Sequence, residues 1–252
     1  MDMIITTGKH SYMVNEIDAT IEVGSVVFIP ENKTWHMITA PGVMTAINEN
    51  EVDESVKVNT IEALVEVLAA GGHVSIEANI DAPTAIVVKA DTVLNLNGKE
   101  ITVKEDIVGD GVFKVVNGTL TIEGEGVING LGKNDWSMGV WATENGKVII
   151  NGGYFTNVGA KSAEDSEHFD LIYASESGKV EINGGEFKCE TPRWTLNIKD
   201  KDRATASIVV KGGKFHGFNP ADCDTEGEHT NFVAPGYKVV EESEGIFVVI
   251  AE

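Results

Sequence analysis

Residues 146–155 read GKVIINGGYF, and residues 178–187 read GKVEINGGEF. Three further stretches follow the same pattern: TVLNLNGKEI (92–101), GTLTIEGEGVI (118–128) and ASIVVKGGKF (206–215). Self-similarity at a near-constant interval marks a repeat architecture. Anchored on the first glycine of each turn, Gly98, Gly124, Gly152, Gly184 and Gly212, the intervals are 26, 28, 32 and 28 residues. Each interval fits one coil of a solenoid with loop insertions.

Equivalent positions carry the argument further. Two residues before the anchor stand Leu96, Ile122, Ile150, Ile182 and Val210, and four before it stand Leu94, Leu120, Val148, Val180 and Ile208. The residues between them are mixed: Asn95, Thr121, Ile149, Glu181 and Val209. An apolar period of two is a strand with one buried face. Three residues after the anchor come Ile101, Val127, Phe155, Phe187 and Phe215. The extra residue of the second coil lets Ile128 replace Val127 through a bulge. The common phase of the three phenylalanines with the aliphatic rows makes them core rather than a sugar-stacking platform. The residue before each anchor is Asn97, Glu123, Asn151, Asn183 or Lys211, and Asn-Gly favours positive φ. A hairpin is the rival reading of Asn-Gly. It fails because a second strand lies between anchors: GVFKVV (111–116), GVWATE (139–144), DLIYASE (170–176) and WTLNIK (194–199).

The expectation is therefore an all-β chain, a right-handed parallel β-helix in which like strands stack at about 4.8 Å per coil. An ordinary β-sandwich is the competing fold. A solenoid needs capped ends. Asn59 or Thr60 can cap a short helix over 61–70, whose Ile61, Leu64, Val65 and Leu68 fall on one face and which Gly71-Gly72 stops. HVSIEANI (73–80) and TAIVVKA (84–90) then begin the strands. At the other end NFVAPGYKVV (231–240) and GIFVVI (245–250), joined by EESEG, predict a closing hairpin. Residues 1–50 lack the repeat and read as a separate small β-rich domain with strands such as ATIEV (19–23), SVVFIP (25–30), WHMITA (35–40) and VMTAI (43–47). The organisation read is 1–50 N-terminal β-rich domain, 51–58 linker, 59–218 β-helix with its capping helix, and 219–252 hairpin cap.

Charge narrows the function classes. The 252 residues carry a net charge of -21, so nucleic acid and anionic membrane surfaces are poor partners. No apolar run approaches the length of a membrane span. The opening MDMIITTGKHSYMV lacks the pattern of a secretory signal, and Cys189 and Cys223 fit no metal motif. Synthesis in a reducing cytoplasm with two free thiols is expected, and a disulfide between them is the alternative.

Chemistry is sparse. Asp165, Glu167 and Asp170 lie beside His168 in the longest inter-coil loop, and Asp222, Asp224, Glu226 and Glu228 lie near His229. A glycosidase needs two carboxylates facing one sugar bond. Either cluster could serve, or hold calcium, but in a chain with 40 acids solvated loops are the simpler reading. Lys133, Lys161, Arg193 and Arg203 form no motif, and the six histidines, His10, His36 and His73 among them, show no metal spacing. No enzyme, no cofactor and no metal site is expected.

The tail GGKFHGFNPADCDTEGEHTNFVAPGYKVVEESEGIFVVI (212–250) resembles the end of β-helical modules in gut bacterial surface proteins and gut phages, and ITVKEDIVGDGVFKVVNGTLTIEGEGVING (101–130) fits the same modules. With a short attachment domain in front, the layout is similar to the head fibre proteins of tailed bacteriophages, notably crAss-like phages. The resemblance implies a non-enzymatic homotrimer on the virion's capsid surface, made in the host bacterial cytoplasm, with a capsid protein as partner. Phe28, Trp35, His36 and Met37 are its candidate partner contacts, because aromatic residues and Met are enriched in interface cores. The alternatives are a tail fibre or tail spike that binds, or binds and cleaves, host surface polysaccharide, and a bacterial surface adhesin module.

Overall fold

The computed structural model describes residues 55–103, 111–130, 138–157 and 170–252 in full and, before them, the backbone of five strands. The chain is mostly β and forms two compact units, Met1–Glu54 and Ser55–Glu252. The first holds β1 (Met3–Thr7), β2 (His10–Val14), β3 (Val26–Ile29), β4 (Thr34–Ala40) and β5 (Val43–Ile47) in one antiparallel sheet ordered β2-β1-β3-β4-β5. Three of these strands match the sequence reading. β1 and β2 add to it, and residues 19–23 lie outside the described residues.

The second unit begins with β6 (Val56–Val58) and α1 (Ile61–Ala70). Repeated passes of the chain follow, each adding one strand to each of three parallel sheets. The passes are β7 (Gly72–Ile76), β8 (Ile80–Ala82) and β9 (Ile86–Val88); β10 (Thr92–Asn95), β11 (Lys99–Val103) and β12 (Gly111–Val115); β13 (Thr119–Glu123), β14 (Gly126–Gly130) and β15 (Met138–Ala142); β16 (Lys147–Ile150), β17 (Tyr154–Thr156) and β18 (Asp170–Ala174); β19 (Lys179–Ile182), β20 (Glu186–Lys188) and β21 (Leu196–Ile198). A last pass contributes β22 (Ser207–Val210) and β23 (Gly213–His216), and β24 (Tyr237–Ser243) and β25 (Ile246–Ala251) close the chain. A pass thus has three strands, where the sequence showed at least two.

Register explains the recurrent spacing of apolar residues. In the first sheet Val74, Leu94, Ile122, Ile150, Ile182 and Val210 are successive Cα partners, and all are buried. In the second sheet the row is Ile80, Ile101, Ile128, Phe155, Phe187 and Phe215, so Ile128 does take the place of Val127. The three phenylalanines are fully buried and stack with ring centroids 5.1 and 4.8 Å apart. In the third sheet Ile86, Phe113, Val140, Ile172 and Leu196 align. Each row is one side chain per pass, so no pass closes its own core and every pass is held by its neighbours.

Two details of the repeat differ from the sequence reading. Leu94, not Leu96, pairs with Ile122, because the corner after β10 is longer and Leu96 turns within it. Positive φ belongs to Asn97 and Gly98 in that pass and to Gly124 and Gly126 in the next, but in the three passes after these it falls on the second glycine, Gly153, Gly185 and Gly213. Asn151 and Asn183 bond to each other instead. Asn183 Nδ2 donates to Asn151 Oδ1 at 3.0 Å, an amide ladder along the corner. At the opposite corner Gly146 and Gly178 press their backbones onto the pass before. A Cβ there would lie 2.0 Å from the Val115 carbonyl and 2.1 Å from that of Ala142.

The ends also correct the reading. Residues 56–58, read as linker, form β6, which pairs in parallel with β7. Val56 and Val58 alternate around Lys57, and burying Val58 favours the added strand over a solvated tether. Helix α1 has the bounds expected, with Thr60 Oγ1 accepting from Ala63 N at 3.3 Å, and it packs on β6 to β9. Its buried residues are Leu64 and Leu68, while Val65 is 43% exposed and Val67 takes its place against the core. At the far end each sheet is closed differently. Residues 232–234 cover β22, with Ala234 N donating to Val210 O at 2.9 Å, and the β24–β25 hairpin adds antiparallel to β23. The expected single strand over 231–240 is therefore broken, at Pro235 and at Gly236, whose φ is 83°.

Candidate functional site

The outward face of the third sheet carries a row of large polar and aromatic side chains. Lys114, Trp141, Tyr173 and Asn197 are successive Cα partners on β12, β15, β18 and β21. They occupy the outward phase because their neighbours in each strand point into the core. Lys114 Nζ lies 4.3 Å from the Trp141 ring centroid, and the Trp141 and Tyr173 rings are 6.1 Å apart. Trp141 Nε1 donates to Ser175 Oγ at 2.8 Å, and Ser175 Oγ donates to Thr143 Oγ1 at 2.9 Å, so the indole is held in one orientation.

This row runs into a groove of about 680 Å³ at the last strand of the sheet. One wall is β18 and β21 with the turn Pro192–Trp194, and the other is the loop 224–227. The loop is pinned by Thr225 Oγ1, which donates to the Arg193 carbonyl at 2.8 Å. Strand β21 is a sheet edge, and an edge N–H needs an acceptor. Glu226 supplies it: Ile198 N donates to Glu226 Oε1 at 2.6 Å, and Arg203 Nε meets Glu226 Oε2 at 2.5 Å. The carboxylate thus substitutes for a next strand. Burial pushes its pKa up, opposed by the Ile198 N–H and by Arg203.

Asp170 is the other buried acid of the groove. It opens β18 and is 4% exposed. Asn197 Nδ2 donates to Asp170 Oδ1 at 2.8 Å, and no other side-chain hydrogen bond reaches this carboxyl from the described residues. Burial pushes its pKa up to about 7; the Asn197 bond opposes that rise and the charge of Glu226 adds to it. The neighbouring Tyr173 phenol is raised as well, by burial first and then by the Asp170 charge. Trp194 is half-buried, and the Arg193 guanidinium lies 4.8 Å from its ring centroid.

The described members of the two acidic clusters take different places, although Asp224 and Glu226 both line the groove. Asp170 is not a loop acid but a buried strand residue, while Asp165, Glu167 and His168 lie outside the described residues, as do Lys133 and Lys161. Glu226 turns inward, whereas Asp222 and His229 form an exposed pair at 2.8 Å that raises the His229 pKa. Arg193 and Arg203, scattered in sequence, both line the groove. Sequence reading missed Trp141, Tyr173, Trp194 and Asn197 as a group. The available signal was the third-sheet strands, where Lys114, Trp141, Tyr173 and Asn197 hold one outward position.

Among the described residues no group of three or more His, Cys, Asp or Glu side chains is arranged to hold a metal ion, and no helix is long and apolar enough to cross a membrane. Cys189 is buried and Cys223 half-buried, both as free thiols, and burial pushes the Cys189 pKa up to about 11. Of the candidate partner contacts, the backbone register pairs Phe28 with Trp35 and sets His36 opposite Val27 and Met37 opposite Val26. Their side chains lie outside the described residues. No family model matches the chain, and neither a curated protein nor a solved structure matches it.

Proposed function

We propose that the chain is a structural, non-enzymatic virion protein: a capsid head fibre or decoration protein of a tailed bacteriophage, whose second unit is a right-handed parallel β-helix. The observation that carries this reading is the uninterrupted stack of passes. Each adds one residue to every interior row, so the unit is a stiff spacer whose length is set by the number of passes. Right-handedness follows from the strong preference of parallel crossovers. The separate antiparallel unit of residues 1–54 is the attachment module in this reading, and Phe28, Trp35, His36 and Met37 belong to it. The assembly is a homotrimer, favoured by the half-buried Ile149 and Val209 on the outer face of the first sheet. The acidic surface keeps a densely displayed protein from sticking to itself and to nucleic acid.

Cryo-electron microscopy of the intact particle tests the proposal. Density for trimeric projections on the capsid is the expected result, and density at the tail tip alone would reject the head location. Light scattering of the purified protein should return three times the mass of one chain, and a monomer at micromolar concentration would reject the trimer. A second reading, a tail fibre or spike that binds surface polysaccharide, is favoured by one observation, the groove beside β21.

A further inference from the structure

We infer that the groove between β21 and the loop 224–227 binds an uncharged saccharide chain, with Trp194 as its stacking surface and Asp170 and Asn197 as its hydrogen-bonding pair. For its ligand class the inference rests on the polysaccharide-binding reading, and it holds whichever particle or cell displays the chain.

Size and lining come first. A groove of about 680 Å³ falls in the range of small-ligand sites, which combine apolar rings with a few placed polar groups. Trp194 presents a half-buried indole that Arg193 holds in place. Sugar rings offer apolar C–H faces to such a surface and hydroxyls to its rim, and the Asp170–Asn197 pair can both accept from and donate to those hydroxyls.

The second observation is a polar pair on the groove wall, since Asp170 and Asn197 both line it. Asn197 Nδ2 donates to one oxygen of Asp170, which leaves the carboxyl able to accept from a further hydroxyl. The residue lines the groove, so a hydroxyl seated there completes the pair.

Charge and edge chemistry select among ligands. The lining holds four basic and four acidic side chains, so its own charges largely offset one another, and the chain's charge of -21 repels anionic polymers. An extended peptide would dock by pairing with the open edge of β21. Glu226 already occupies the Ile198 N–H, which blocks that mode. The outward row of Lys114, Trp141 and Tyr173 continues away from the groove at one strand spacing per residue, which suits a chain of sugars rather than a single one.

Isothermal titration calorimetry of the full chain against neutral gluco-, galacto-, manno- and xylo-oligosaccharides, with oligogalacturonate as the anionic comparator, tests this. At least one neutral oligomer should bind saturably and oligogalacturonate should not. Trp194→Ala and Asp170→Ala should each weaken binding about tenfold or more, while Thr121→Ala, on the outer face of the first sheet, leaves it unchanged. Thermal melts by circular dichroism identify any variant that fails to fold, and the other variant then decides. Absence of binding by every neutral oligomer at millimolar concentration overturns the inference. So does undiminished affinity in a folded Trp194→Ala or Asp170→Ala protein, or preference for the anionic oligomer. Saccharide binding by a protein absent from the capsid would reject the head-fibre reading alone, and a capsid fibre that binds no saccharide would reject the groove alone.

Discussion

Replacing Asp170 by Asn should stabilise the protein, and by an amount that grows with pH. The carboxyl is 4% exposed and its pKa is raised from 3.8 to about 7, chiefly by burial. A carboxyl whose folded pKa exceeds its unfolded value holds its proton more tightly when folded. Folding is therefore unpenalised below the unfolded value and loses stability as pH rises towards the folded one. A shift of about three units corresponds to about 4 kcal/mol at full ionisation. Between about pH 5 and about pH 8 the part of this loss that remains to be incurred is about 2–3 kcal/mol. The substituted amide would be neutral throughout, and its carbonyl oxygen would still accept from Asn197 Nδ2, which in the native chain donates to Asp170 at 2.8 Å. Urea unfolding followed by far-ultraviolet circular dichroism across that pH range gives the stability of each protein, with the slope on urea expected to be equal in both. Subtracting one curve from the other removes the titration of the other acids. The difference should favour the variant and rise by about 2–3 kcal/mol from about pH 5 to about pH 8. A flat difference, or one that falls with pH, would refute the assignment of Asp170 as a buried acid that burial holds partly neutral.

Further predictions concern the stack and its ends. Phe187→Ala, which removes the middle ring of the phenylalanine row, should cost about 3–5 kcal/mol, whereas Glu181→Ala, which loses a half-exposed pair with Lys211 at 3.0 Å and an interaction with Asn183, should cost below about 1 kcal/mol; equal urea midpoints would show the strand register to be wrong. Gly178→Ala should lower the melting temperature clearly, because its Cβ would meet the Ala142 carbonyl at 2.1 Å, while Gly227→Ala, with nothing within 4 Å, should show only the smaller strain of its positive φ; equal shifts would argue against close backbone contact at that corner. A chain beginning at Ser55 should keep its β signature and a cooperative melt, yet fail to decorate fibre-free particles; decoration equal to that of the full chain would place attachment outside residues 1–54. Extending the deletion through Val58 should lower the melting temperature, since it strips β6 from the edge of β7, and an unchanged melt would show that edge strand to be dispensable.

The strands of the second unit were legible because alternation is local. A buried face recurs at every second residue whatever lies elsewhere in the chain, so Val148 and Ile150, or Val180 and Ile182, announce themselves without reference to partners. The helix over 61–70 was legible for the same reason, since its cap and its glycine stop sit within one turn of its ends. The pairing of Leu94 with Ile122 was not, because it depends on how many residues the corner after β10 consumes, and a glycine anchor says nothing of that length. The end of the expected linker, 56–58, was missed similarly: Val56–Val58 is too short to declare itself a strand until β7 offers an edge to pair with.

By itself the sequence determined that the chain stacks on itself in a repeat, which residues of the first two sheets line its interior, and where the helix begins and stops. Each of these is decided by side-chain periodicity and by conformational preferences acting over a few residues. The tertiary structure alone decided the groove. Asp170, Trp194, Asn197, Arg203 and Glu226 come together there although up to 56 positions separate them. What unites them is the stacking of successive passes and the need of an edge N–H at Ile198 for an acceptor, which draws Glu226 inward while Glu228, two residues on in the same acidic run, stays exposed. Local preference cannot distinguish those two glutamates, because the donor that tells them apart lies 28 residues away along the chain and only a few ångströms away in space.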